Sequence, residues 1–174
     1  MNKHLITPDQ FKALARPASM HLEDAEVNAW ITECEDMFIV PAIGYGKFVD
    51  LTQEELTEDD EILLRGGEWK STEQSSCRCG DDTLHYCKGL QSALAYFVYA
   101  KMLKSDGTML ARTGSMRNNS QYSSHTDDNK IRYYNDAMDI AEKYLSDCLL
   151  YLNRNNCNNR TVRGSRCHIH AIGD

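Results

Sequence analysis

A helix that is apolar on every side has to lie at the centre of a fold, and residues 89–104, "GLQSALAYFVYAKMLK", predict such a helix. Gly89 precedes the apolar run and "KSDG" follows it, as is common at helix ends. The longest apolar stretch, residues 93–100, meets Lys101 well before the roughly 20 residues that a membrane-spanning helix needs. We therefore expect a buried central helix, covered by the rest of one domain, and no membrane partner.

Caps and apolar periodicity predict two helices before residue 41. The first has Thr7 as its N-cap in a capping box with Gln10, and it runs to Arg16. The second runs from about residue 23 to residue 40, with acids on one face and an apolar stripe on the other. Pro41 and the glycines of "PAIGYG" are expected to end it, because a proline breaks the hydrogen-bond ladder of a helix and glycine is common at helix ends. The stripe consists of Val27, Ile31, Cys34 and Phe38.

Two more helices are predicted further along the chain. The segment "LTEDDEILLRGG" offers Thr57 as an N-cap, acids in the first turn and a stop at Gly66. The last helix has apolar residues at alternating steps of three and four, which form an a/d-like seam. Its cysteine, like the one in the second helix, is expected to be a small core residue. The seam residues are Ile131, Tyr134, Met138, Ala141, Leu145, Cys148 and Leu152.

Residues 68–88 predict a β-hairpin between the helices, with "GDD" as its turn. The segment carries three cysteines and a histidine, which are the residue types that bind zinc. Residues two apart in a strand share a face, so Cys77 with Cys79, and His85 with Cys87, would face each other across the hairpin. A zinc site formed by these four residues is one hypothesis, and a larger version adds "CHIH" from the tail.

The absence of a metal is the preferred interpretation. Structural zinc sites usually space their cysteines as C-x2-4-C, whereas Cys77 and Cys79 are separated by one residue. The N-terminus "MNKHLITPDQ" lacks the apolar region of a signal peptide, which favours synthesis in a reducing cytoplasm. The seven cysteines are therefore expected to be free thiols, and we expect no cofactor.

Catalysis needs a base, a nucleophile or a charge stabiliser held in one place, and the sequence contains no motif that supplies such a set. A P-loop, a dinucleotide-binding glycine motif, a zinc-protease motif and a nucleophile elbow are all absent from it. The consecutive acids of "EELTEDDE" point in all directions around a helix, so they are expected to be solvated. We therefore expect that the chain is not an enzyme.

Two polar segments and a charge gradient complete the layout. Residues 106–128 are rich in Ser, Thr, Asn and Gly, and a loop of this length is usually functional or disordered. Residues 154–174 predict an extended, locally basic arm. Residues 1–61 hold 14 acids and 4 bases, net −10, and residues 62–174 hold 12 acids and 15 bases, net +3.

The predicted fold class is mainly α: a small helical bundle over residues 1–153 with a β-hairpin insertion, a long polar loop and an extended C-terminal arm.

Several stretches follow one another in a recognisable order: "ITPDQFKAL", "IVPAIG", "LLRGGEW", "GLQSALAYFVYAKML", "TGSM" and "DDNKIRYYNDAMDIAEKYLSDCLLYLN". In this order they resemble the small head–tail connector proteins, also called adaptor or head-completion proteins, of tailed bacteriophages. The likeness is strongest to versions from phages and prophages of Bacteroides-type hosts. The resemblance extends to about residue 153.

The resemblance implies a structural virion protein, made in the host bacterial cytoplasm, that forms a ring at the neck between head and tail. The ring is dodecameric in that family. The implied partners are copies of the chain itself, the portal protein and a tail or further neck protein, with phage DNA passing through the channel without sequence-specific binding. The alternative function is a zinc-stabilised protein-interaction module that uses the Cys/His-rich hairpin.

Loops and terminal arms make the contacts in such rings. An acidic helix is expected to bind the basic arm, either between subunits or toward the portal protein. A second hypothesis is that the acidic face, which includes Glu33, Glu35, Asp36 and Glu54, lines the channel and repels the DNA backbone; the sequence assigns no residue to the lumen. The predicted interaction residues are Thr108, Arg112, Met116, Arg117, Tyr122, Arg160, Arg163 and Arg166.

Overall fold

A computed structural model describes residues 4–16, 22–53, 55–71, 83–105, 108–111, 114–117 and 127–154. The fold is mainly α with antiparallel hairpins, as the sequence predicts. The helices are α1 (Pro8–Leu14), α2 (Asp24–Cys34), a π-helical segment (Glu35–Ile39), α3 (Val40–Ile43), α4 (Tyr45–Leu51), α5 (Glu58–Arg65), α6 (Leu90–Ser105) and α7 (Asp127–Asn153). The strands are β1 (Gly67–Ser71), β2 (Thr83–Cys87), β3 (Thr108–Ala111) and β4 (Gly114–Arg117).

The capping signals at the starts of α1 and α5 are confirmed. In α1 the Gln10 N–H donates to Thr7 Oγ1 at 3.3 Å, and the Thr7 N–H donates to Gln10 Oε1 at 2.9 Å. In α5 the Asp60 N–H donates to Thr57 Oγ1 at 3.2 Å, and the helix stops at Gly66. The cap of α1 is reciprocal and that of α5 is one-sided, and both satisfy amides that a helix start otherwise leaves unpaired. Helix α1 ends at Leu14, two residues before the predicted end.

The second predicted helix does not end at Pro41. After α2 the backbone widens into the π segment, in which the Val40 N–H bonds to the Glu35 carbonyl, and helix then continues to Ile43. Pro41 lies in the first turn of α3, where its missing N–H breaks no ladder bond. Gly44, the first glycine of "PAIGYG", ends the run at a φ of 84°, as the sequence predicts. Only the part of the prediction that rests on Pro41 is wrong, because a π turn restarts the helix just before the proline.

Helix α6 is the buried centre that the sequence predicts. Seven of its residues are buried, and its largest partner is α7. The ring of Phe38 from the π segment stacks on Phe97, with 4.3 Å between ring centroids. The buried residues are Leu90, Ala93, Leu94, Ala95, Phe97, Val98 and Ala100.

The seam of α7 is confirmed in its middle and wrong at its start. Met138, Ala141 and Cys148 are buried, whereas Ile131 is 67 % exposed. The contacts of Tyr96 with Tyr144, and of Lys104 with Tyr134, show that α6 and α7 run antiparallel. Ile131 therefore lies beyond the C-terminal end of α6, where that helix no longer covers it.

Both hairpins are antiparallel, and the second lies inside the segment predicted as a polar loop. Strands β3 and β4 pair Thr108 with Arg117 and Ala111 with Gly114. Only residues 112 and 113 separate the two strands in the sequence, which is the commonest length of a hairpin connection. The prediction of one continuous loop over residues 106–128 was wrong here, because short strands of small and polar residues carry little apolar alternation.

Candidate interaction site

The first hairpin, β1 and β2, presents two different faces. Its ladder pairs Glu68 with Tyr86 and Lys70 with Leu84 on the outer face. On this face Leu84 is 58 % exposed and Tyr86 is 56 % exposed. The Lys88 ammonium lies over the Tyr86 ring, 5.5 Å from its centroid. The outer face is therefore a small surface of large apolar side chains flanked by charges of both signs.

The inner face of the hairpin is held against the bundle by aromatic contacts. The Trp69 and His85 rings, directly opposite in the ladder, stack with 4.5 Å between centroids. Trp69 also meets the edge of the Tyr151 ring of α7 at 5.6 Å. Tyr151 is only 2 % exposed, although the predicted seam does not include it. These contacts fix which face of the hairpin points outward.

A hydrogen-bonded group ties the end of α7 to α5. The Tyr151 hydroxyl donates to Asp59 Oδ1 at 2.9 Å, and Arg154 Nη2 lies 2.6 Å from the same oxygen. The Arg154 guanidinium also stacks on the Tyr151 ring, 3.7 Å from its centroid. Burial and the bond to Asp59 raise the pKa of Tyr151 to about 12, so its hydroxyl keeps its proton. Arg154, the first residue of the predicted basic arm (residues 154–174), therefore lies beside the acidic helix α5.

Two cysteines meet beneath the hairpin. Cys87 Sγ, at the end of β2, lies 3.2 Å from Cys148 Sγ in α7, and both side chains are buried. The Gly89 N–H donates to Cys87 Sγ at 3.3 Å. Cys34 and Cys148 are core residues, as predicted, but the sequence gives no sign that Cys148 has a sulfur neighbour.

The acids of the first third do not all belong to a solvated face. Glu35 is 4 % exposed, accepting the Leu5 N–H at 2.7 Å and lying 2.8 Å from His4 Nδ1. Burial raises the pKa of Glu35, while its bonds to His4 and Leu5 act in the other direction. Asp60 is also buried, paired with Lys47 and Thr57. Glu35 therefore does not belong to the exposed acidic face that the channel hypothesis names, because this carboxylate binds the N-terminal segment.

The acids on the surface include Glu33, which pairs with Lys101 at 3.1 Å, and Asp36, which is exposed. On α5, Glu58 and Glu61 are exposed as predicted. Glu54, the last of the predicted channel acids, lies outside the described residues.

The predicted zinc ligands are not brought together within the described part of the chain. His85 pairs with Trp69, and Cys87 pairs with Gly67, so neither faces Cys77 or Cys79 across the ladder. Cys77 and Cys79 lie outside the described residues, as does the "CHIH" motif of the tail. A search of the described residues finds no group of three or more His, Cys, Asp or Glu side chains placed to hold a metal ion.

The predicted interaction residues are only partly within the described structure. Thr108 and Arg117 are directly opposite each other in the ladder of β3 and β4, and Met116 precedes Arg117 in β4. The structure thus brings three of the loop residues into one hairpin. The others lie outside the described residues; they are Arg112, Tyr122, Arg160, Arg163 and Arg166.

Most of the 174-residue chain, residues 39–167, matches the model of a family of unknown function, DUF6712. The chain belongs to this family. The DUF6712 match starts at the end of the π segment and includes both hairpins, α6, α7 and part of the basic arm. No curated protein and no solved structure matches the chain significantly. Among the described helices, none combines the length and apolar composition needed to cross a membrane.

Proposed function

We propose that this chain is a structural subunit of the neck of a tailed bacteriophage. Its copies form a ring between the portal protein and the tail, join head to tail and continue the channel through which DNA passes. The resemblance in the order of elements along the sequence supports this role. So does a helical body that carries two hairpins, because a ring subunit needs elements that reach its neighbours.

The observation that carries the proposal is the outer face of the first hairpin. Leu84 and Tyr86 are more than half exposed, while the opposite face is fixed to α7 through Trp69. Leu84 and Tyr86 lie together on one face of the hairpin, and an apolar surface that contains an aromatic residue and has a charged rim is typical of protein interfaces. We assign this face to contact with a neighbouring copy in the ring.

A second contact uses charge. Arg154, the first residue of the basic arm, is held against Asp59 beside the exposed acids of α5. A basic segment next to an acidic surface lowers its free energy by pairing with acids, either on its own body or on an adjacent subunit. In a closed ring a contact from arm to neighbouring helix repeats around the symmetry axis.

Assembly with the portal protein of the same phage tests the proposal. We expect copurification of the two proteins and neck density below the portal in negative-stain images. The double variant Leu84→Ser with Tyr86→Ser should weaken assembly by about tenfold or more, because a buried aromatic often dominates an interface. Tyr133→Ser, an equally exposed tyrosine on α7, is the control and should assemble normally.

Raised ionic strength in the same assay separates the two contacts. Salt should weaken the arm contact and leave the apolar hairpin contact in place. Full assembly by the double variant would refute the assignment of the hairpin face, and particles that never incorporate the chain would refute the neck role.

A further inference from the structure

The sulfur contact between Cys87 and Cys148 is closer than core packing requires. Their Sγ atoms are 3.2 Å apart in a fully buried site, where β2 ends and α7 passes beneath it. Cys34 provides the comparison, since it is equally buried but has no sulfur partner among the described residues. The two thiols are therefore close enough to form a disulfide if they are oxidised.

We propose that Cys87 and Cys148 are an oxidisable pair, and that peroxide converts them into a disulfide that ties the base of the first hairpin to α7. The sulfurs need only move from 3.2 Å to the roughly 2.05 Å of a disulfide. Both sulfurs are buried, so an oxidant reaches them through local opening of the fold, and peroxide, which is close to water in size, needs a smaller opening than a bulky disulfide reagent does. This inference does not depend on the neck role.

The surroundings assign different roles to the two sulfurs. The hydrogen bond shared with Cys148 lowers the pKa of Cys87 against the effect of burial, and the bond that Cys87 Sγ accepts from the Gly89 N–H acts in the same direction. The shared hydrogen bond and burial raise the pKa of Cys148, which keeps its proton. Cys87 is therefore the thiolate that attacks, and Cys148 is the thiol that resolves the product.

The reaction balances with one molecule of hydrogen peroxide. The Cys87 thiolate attacks one oxygen, the O–O bond breaks, and a sulfenic acid and a hydroxide form. The hydroxide takes the proton of Cys148 and becomes water. The Cys148 thiolate then attacks the Cys87 sulfur and the S–O bond breaks, releasing a second hydroxide that is protonated by solvent. Two electrons pass from the sulfurs to peroxide, giving one disulfide and two waters.

A full-length background in which Cys77, Cys79, Cys157 and Cys167 are replaced by Ser isolates the reaction. It keeps only the three cysteines that the structure describes. We expect peroxide to remove two hydrogen atoms from the intact mass, and a reductant to restore them. The thermal midpoint should rise on the order of 10 °C on oxidation, because the bond closes a long loop.

Single variants in this background identify which two cysteines form the disulfide. Cys34→Ser should still lose the two hydrogens, whereas Cys87→Ser and Cys148→Ser should not. Glutathione disulfide should react far more slowly than peroxide with the folded protein. In the unmodified chain, a tryptic cross-link between residues 79–88 and residues 144–154, assigned by fragmentation to Cys87 and not to Cys79, provides a readout that needs no variant. Persistence of both thiols under peroxide, or a mass loss that requires Cys34, would overturn the proposal.

Discussion

Gly66 and Gly89 lie against each other where the first hairpin leaves the bundle. Both have positive φ, and a Cβ added to Gly89 would lie 2.5 Å from the backbone of Arg65 and Gly66. A Cβ on Gly66 would lie 2.6 Å from the Cys87 carbonyl oxygen. Two backbones therefore cross at a distance that only glycine allows, and this crossing positions Cys87 next to Cys148.

Gly89→Ala should lower the free energy of unfolding by about 2–4 kcal/mol, since it adds both a clash with backbone and an unfavourable φ. Urea unfolding of the purified chain measures this loss. Gly46→Ala is the control, because Gly46 lies in α4 with open space around it. It should be neutral or stabilise by up to about 1 kcal/mol. Equal losses in the free energy of unfolding for the two variants would show that the backbones at Gly66 and Gly89 leave room for a Cβ atom.

At the scale of elements, side-chain contacts hold the end of α7 against the first hairpin and α5. Trp69 of β1 packs on Tyr151 of α7, and the Tyr151 hydroxyl reaches Asp59 of α5. The Arg154 guanidinium stacks on the Tyr151 ring. One tyrosine thus ties α7 to α5 and β1, two neighbouring elements that lie far from α7 in the sequence, and it determines the orientation of the exposed hairpin face.

Tyr151→Phe keeps the ring and removes the hydroxyl, so it should cost about 1 kcal/mol, the usual worth of one hydrogen bond. Asp59 retains its pairing with Arg154, which limits the loss. Hydrogen exchange should quicken over the last turn of α7 and in β1, while α1 stays protected. Tyr133→Phe, on the exposed side of the same helix, should change neither quantity. If both variants behave alike, the hydroxyl does not couple these elements.

At the scale of the whole molecule, two buried carboxylates respond to pH in opposite ways. Burial raises the pKa of Glu35 above its unfolded value of 4.5, so the folded state binds the carboxyl proton more tightly than the unfolded state does. The free energy of unfolding therefore falls as pH rises from 4.5 through the higher folded pKa. Burial opposes ionisation of Asp60 too, but hydrogen bonds from Lys47 and Thr57 outweigh it and lower its pKa. Asp60 therefore stabilises the fold above its unfolded value of 3.8, and this contribution disappears as pH falls through the lower folded value.

Asp60→Asn should lower the free energy of unfolding at neutral pH by about 2 kcal/mol, the range for a hydrogen bond to a charged group. The difference from the unmodified chain should shrink once pH falls below about 4, because Asp60 itself then becomes protonated. Denaturation curves from pH 3 to pH 7 measure this difference in the free energy of unfolding. Glu58→Gln, exposed on the same helix, is the control. A difference that stays constant with pH would rule out ionisation of Asp60 as the cause.

Local chemistry is what the sequence by itself determined. The caps at Thr7 and Thr57 involve residues three apart, so their geometry can be predicted from spacing alone. The all-round apolar pattern of α6 likewise specifies a central helix, since any exposed face would be costly. The mainly α fold class with a hairpin follows from such signals.

Long-range register is what only the tertiary structure decided. The sequence places a hairpin near residues 68–88, but the pairing of His85 with Trp69 depends on how both strands pack on α7. Ile131 fits the apolar period and is exposed because α6 is shorter than α7. Glu35 fits an acidic surface and is buried because the N-terminal segment supplies its partners. In each case a contact partner from a distant part of the chain outweighs the local pattern, and spacing within one segment carries no information about that partner.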